Sequence, residues 1–151
     1  MTRNVRWLSP LCLLVCAGVA QAQTTLGGLL DAGAVKLAPD AFKNELVQRT
    51  MVGATQTGAV VELIYTSSGA IAGSGTPPQN TLKLVQRSQV SGEWKVDDLG
   101  RICTSMRIGA EAAGVFLPPR CQWWFKLGES YFLSDSDSDR RSAVQKRTLK
   151  R

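Results

Sequence analysis

The sequence predicts an α+β fold. An N-terminal amphipathic helix packs on an antiparallel meander of about eight short strands, closed into a small barrel or left as a strongly curved sheet. Three observations lead there. Apolar residues recur at helical spacing after Pro39. From Gly58 onward the apolar period shortens to two, in runs separated by turn residues. Two cysteines, Cys103 and Cys121, remain once an N-terminal segment that reads as a removable leader is set aside.

Arg3 and Arg6 form a basic n-region, Trp7 to Ala17 an apolar stretch, and Ala20-Gln21-Ala22 a small-residue cleavage signal. The apolar stretch falls short of the roughly 18 to 20 residues that a spanning helix needs. Val15 stands where a lipobox before Cys16 would need a small residue. Residues 1–22 are therefore read as a signal peptide. Residues 23–151 are read as one domain, with no Ser/Gly-rich or Pro-rich linker to divide it. Cys12 and Cys16 leave with the leader. An even pair of cysteines in a chain sent to an oxidising compartment predicts a Cys103–Cys121 disulfide and a periplasmic or secreted location. With no Cys-x-x-Cys spacing, a redox pair is not indicated.

Leu26 to Ala34 reads as a short helical turn weakened by Gly27 and Gly28, with Gly33 as its stop. Residues 39–49 read as the amphipathic helix. Pro39 suits the first helical position, Phe42, Leu46 and Val47 share one face, and Lys43, Asn44 and Gln48 point away. Val60 to Tyr65 alternates as a strand, and Ser67-Ser68-Gly69 turns it into a second beginning at Ala70. Gly75 to Asn80, with Pro77-Pro78, is a loop, and Thr81 to Gln89 a further strand. Ser91 to Cys103 reads as a hairpin turning at Asp97-Asp98-Leu99-Gly100, with Trp94 as its packing anchor. Gly109 to Arg120 is a connection. Cys121, Trp123, Phe125 and Leu127 then share the face read as core, while Trp124 on the other face lies under the helix or faces a partner. Ser130 to Leu133 and Ala143 to Leu149 complete the strands.

These residues resemble a known family. The order Thr50-x-x-Gly53, Tyr65-x-x-x-Gly69, Gly92-x-Trp94, Asp98-x-Gly100-Arg101-x-Cys103 and a later Cys121 is similar to exported bacterial proteins catalogued as domain of unknown function 995. The resemblance spans nearly all of residues 23–151. It implies an exported protein of the bacterial envelope and carries over no catalytic residue.

Charge and chemistry narrow the function. After the leader, 16 basic and 12 acidic residues leave a net charge of +4, and six of the cations, Arg140, Arg141, Lys146, Arg147, Lys150 and Arg151, lie in the last twelve residues. This segment, 140–151, is a candidate for binding an envelope protein or an anionic envelope surface, or else it guards an edge strand. Export argues against nucleic acid. The chain has no histidine, which excludes the Ser-His and Cys-His nucleophile pairs and most zinc sites. Asp97 and Asp98 are explained by their turn. Asp135-Ser136-Asp137-Ser138-Asp139 opens like a calcium loop, but Arg140 and Lys146 replace the glycine and glutamate that such a loop needs. No residue is assigned a catalytic, metal or cofactor role. The leading expectation is a non-catalytic binding or envelope-associated domain. Two alternatives stand beside it: a carboxylate-dependent hydrolase using Glu62 with Glu93 or another acid, and a lipocalin-like carrier. The carrier needs an apolar cavity of at least ~300 Å³ and would be ruled out by a solid core filled with Trp94 and Trp123.

Overall fold

Ten strands and two short helices follow one another as α1 (Leu26–Asp31), β1 (Val35–Lys36), α2 (Pro39–Leu46), β2 (Thr50–Ala54), β3 (Val60–Tyr65), β4 (Ala70–Thr76), β5 (Ser88–Val96), β6 (Ile102–Ile108), β7 (Val115–Phe116), β8 (Arg120–Leu127), β9 (Ser130–Ser134) and β10 (Val144–Leu149). The computed structural model describes residues 25–55, 58–76, 87–109 and 114–151. The segment read as a signal peptide at 1–22, with Cys12 and Cys16, lies outside the described residues, as do most of the loop expected over 75–80 and the first part of the strand expected over 81–89. No helix among the described residues is long and apolar enough to cross a membrane.

The strands run in the order β8-β9-β10-β2-β3-β4-β5-β6, and β6 pairs again with β8, so eight antiparallel strands close into a barrel. This overturns the α+β class. Among the described residues 53% lie in strands and only 13% in helices, and none of them forms a long N-terminal helix packed on the sheet. The helix expected over 39–49 stops at Leu46, because Val47 is extended (ψ 138°) and Gln48 takes a left-handed φ of 67°. Gln48 N then donates to Tyr65 O at 2.7 Å, turning the chain into β2.

Period-two alternation selects what lies inside. Val61, Leu63 and Tyr65 of β3, Ile71 of β4, Val90 of β5, Ile102 of β6, Trp124 of β8, and Tyr131 and Leu133 of β9 form one buried cluster with Met51. Two turns of α2 insert Phe42 and Leu46 into the same cluster and stop one end of the barrel. There the Phe42 ring meets Trp124 at 5.0 Å, Trp94 at 5.4 Å and Tyr65 at 5.6 Å, in tilted and edge-on geometries. Trp94 Nε1 also donates to Thr66 O at 2.9 Å.

The face of β8 read as core is the outer one. Trp124 points into the barrel, while Phe125 lies outside, where Leu26 and Leu29 of α1 cover it together with Phe132. Trp123 on that outer face carries the Lys36 ammonium 4.3 Å from its ring centroid. The run Trp123-Trp124-Phe125 is apolar on both faces, so alternation alone did not decide which face would be enclosed. β10 also departs from expectation. It is paired with β9 on one side and β2 on the other, so it is not an edge in need of protection.

Closure is narrow. β6 and β8 share three paired positions, against seven between β5 and β6. The middle pair of the three is Cys103 with Cys121, joined as a disulfide on the outer surface of the seam. In the hairpin that leads to it, Gly100 takes a φ of 82° and Asp97 binds the turn: Oδ1 accepts from Arg101 N at 2.8 Å and Leu99 N at 3.1 Å.

The position of α2 is fixed by Glu45, whose carboxylate accepts from Lys126 Nζ and, at 2.9 Å, from Tyr131 Oη. The Lys126 hydrogen bond, followed by that of Tyr131, holds Glu45 below its ordinary value of 4.5.

Two outcomes follow. Replacing both Cys103 and Cys121 with serine should lower unfolding free energy by about 3 kcal/mol, the chain-entropy figure for a loop of this length, in urea titrations. Because the Glu45 pKa is depressed in the fold, its contribution is present in full above 4.5 and is lost as pH falls through the lowered value. The stability difference between wild type and Glu45→Gln should therefore be constant above about pH 5.5 and shrink below pH 4.5, as read from thermal unfolding at stepped pH.

Candidate functional site: an apolar cavity with a buried arginine

Behind the plug formed by α2, the barrel is not filled. A cavity of about 520 Å³ runs from Tyr65 and Trp124 toward the opposite end, which it reaches at Thr55, Thr76, Ser88 and Pro118. Its walls are the inward side chains of the strands, chiefly Val61, Leu63, Val90, Ile102, Met106, Ile108 and Leu133. Inward glycines help to leave this space. Gly75 lies on the wall between Val61 and Val90, where it fills less volume than any other residue would.

Set in this apolar lining are Thr104, Gln122, Gln145, Arg147 and Arg120, the last paired with Asp135. Gln122 is held from outside, its Nε2 donating to Asp135 Oδ1 at 2.8 Å. Arg147 is the unusual member. Only 6% of it is exposed, and it reaches the wall because β10 alternates Gln145, Arg147 and Leu149 on one side. Its Nη1 donates to Ala54 O at 2.7 Å and Lys146 O at 3.0 Å, and its Nη2 makes a long 3.4 Å contact with Gln145 Oε1. Among the described residues no carboxylate pairs with it. Burial pushes its pKa down, opposed by the nearby Tyr65, but a guanidinium starts so high that it stays charged. Burial likewise pushes the Tyr65 hydroxyl up to about 12, with the Arg147 charge pulling the other way, so Tyr65 stays a neutral donor. Gly53 makes room for the arginine. A Cβ there would run into the Lys146 carbonyl and would lie 2.8 Å from Arg147 Cδ and Nη1.

The residues singled out in the sequence fall elsewhere or take other roles. Glu62 faces outward, with Arg87 Nη2 at 2.7 Å and Lys150 Nζ at 3.0 Å, and the Lys150 hydrogen bond heads the causes that lower its pKa. Glu93 is exposed on the outer face of β5. The cavity wall carries no Asp or Glu among the described residues, so nothing inside matches the carboxylate pair of the hydrolase alternative. Asp135, Asp137 and Asp139 do not converge. Asp135 holds Arg120 and Gln122, Asp137 pairs with Lys36 at 2.9 Å, and Asp139 Oδ1 accepts from Arg141 N at 3.0 Å. Asp97 lies close to Cys103 and Cys121, but sulfurs bonded to each other offer no thiolate to a metal.

The basic C-terminal residues are not one patch. Arg140 pairs with Asp31 at 2.6 Å, Lys150 with Glu62, and Arg151 with Glu129 at 3.0 Å; Arg141 and Lys146 are exposed, and Arg147 alone is inside. Trp124 is 3% exposed and forms the inner end of the cavity, not an external anchor. Sequence reasoning counted Arg147 as part of a surface cluster and passed over Met106, Gln122 and Gln145. The signal was there in the shared parity of Arg147 with Leu149. No protein-family model, curated protein or solved structure matches this chain.

Gly53→Ala forces the Lys146 carbonyl and the arginine stem apart. It should cost about 1–3 kcal/mol of unfolding free energy, as overpacked sites do, measured by urea titration against wild type.

Proposed function

We propose that this chain is a non-catalytic binding protein that holds a small, largely apolar molecule inside its barrel. One observation carries the reading: a cavity of about 520 Å³ lined mainly by aliphatic and aromatic side chains. That volume exceeds the roughly 300 Å³ at which small-molecule sites begin. A space of this kind is costly to leave in a core, because its lining forgoes the contacts that close packing would supply. An apolar occupant restores those contacts, and the barrel supplies the enclosure.

The wall offers no nucleophile and base in reach of each other. Arg147, Gln122 and Gln145 can donate or accept hydrogen bonds but cannot exchange a proton near neutrality. The leader-like N-terminus and the disulfide support a site of action outside the cytosol. The resemblance to exported envelope proteins agrees with this and rests on the order of the sequence motifs. Because the cations of 140–151 are dispersed among separate carboxylates, they give little support to a single anionic surface as the partner.

The uncharged fluorophore N-phenyl-1-naphthylamine should bind the protein with one site and rise in emission on entering the barrel. Met106→Trp and Val61→Trp place an indole in the cavity and should each weaken that binding at least tenfold, while far-ultraviolet circular dichroism keeps the β spectrum. Full-strength binding by both filled variants, or no binding by wild type, overturns the reading.

A further inference from the structure

Arg147 is a poor choice for a wall that only has to be apolar. Taking a guanidinium out of water costs several kcal/mol unless its charge is compensated and its donors are used. Here three contacts use two of its three nitrogens. Two go to neutral carbonyls, the third is a long contact to a neutral amide, and no carboxylate pairs with it among the described residues. Two arginines of this chain that are far more exposed are each matched by an acid, Arg101 by Asp97 at 2.7 Å and Arg140 by Asp31 at 2.6 Å. The one cation on the cavity wall that is this deeply enclosed is the one left with its charge unmatched.

Its setting is polar on one side only. Gln145 and Tyr65 stand near it on the wall, and Val61, Leu63, Val90 and Ile102 supply the apolar remainder. A flat guanidinium donates two parallel hydrogen bonds to a carboxylate, and a neutral phenol adds a further donor of the same kind. An acceptor with negative charge at one end and hydrocarbon along the rest would answer both halves of the lining.

We propose that the ligand is an amphipathic monocarboxylate whose head meets the Arg147 guanidinium inside the barrel, with its hydrocarbon chain along the aliphatic wall. This rests on the binding role proposed above and adds the chemical class of the ligand. Arg147 is then the specificity-determining residue, and the acid supplies the counter-charge that the chain itself omits. Gly53 belongs to the same device, since the space beside it is what lets the arginine stem pass strand β2.

The experiment displaces N-phenyl-1-naphthylamine with dodecanoate or with dodecan-1-ol at pH 7.5, where the acid is ionised, in wild type and in Arg147→Gln. Wild type should prefer dodecanoate to the alcohol at least tenfold. Arg147→Gln should reduce that preference to within about twofold while binding the alcohol as wild type does. Should Arg147→Gln fail to fold, the wild-type preference together with Tyr65→Phe decides. That variant keeps the ring and removes the hydroxyl, and it should weaken dodecanoate several-fold and leave the alcohol unchanged. Equal affinity of wild type for acid and alcohol, or a preference that survives Arg147→Gln, overturns the assignment of the acid while the binding role stands. If the fluorophore, the acid and the alcohol all fail to bind wild type, both fall.

Discussion

The barrel depends on a seam only three residue pairs long. Every other junction in the ring joins strands that follow one another in the chain, except that of β10 with β2, which spans two paired positions. β6 and β8 have only the connection from 109 to 119 between them, and β8 must share its length: its first residues pair with β6 and its later ones with β1. The Cys103–Cys121 bond sits at the centre of that short overlap. If the seam opens, the sheet uncurls, and Tyr65, Trp124, Leu133 and the rest of the interior have no opposite wall. Enclosure, and with it a cavity, is a property of this junction before it is a property of any side chain in the lining.

Interior polarity is the second constraint, and it is resolved differently at the two ends. At the end stopped by α2, Glu45, Lys126 and Tyr131 form a closed set in which each charge has its partner, so that end is built to stay shut. Further along, Arg147 is bonded only to neutral groups. The contrast within a single barrel is informative, because the same chain supplies a carboxylate where it needs one for structure. What separates the two ends is whether the polar group is completed by the fold or left to be completed from outside.

Much of this was legible in the residues, and the failures have identifiable causes. Strand period, the Asp97–Gly100 turn and the disulfide are local signals or simple counting, and the structure contains all three. The fold class was misjudged because apolar spacing over 39–49 promises three turns of helix, whereas Gln48 must bend left-handed to bond to Tyr65, a contact made across the sheet. The faces of β8 were misjudged because Trp123, Trp124 and Phe125 are apolar in succession, so parity carries no sign there. Arg147 was hidden by its neighbours. Six cations in twelve residues look like a solvated tail by composition, and only the pairing of β10 on both edges turns one of them, Arg147, inward. Closure joins residues far apart in the chain, which no window of sequence displays.

The hairpin of β8 and β9 is oily on both sides, with Trp124 and Leu133 toward the barrel and Phe125 and Phe132 toward α1. That outer cover is a helix of six residues containing two glycines, too short and too loose to persist before it docks. A newly made chain must therefore carry, for a time, a ribbon that is sticky front and back. Damage to Leu26 or Leu29 would show itself first as clumping and poor yield during production, well before any change in what the finished protein can hold.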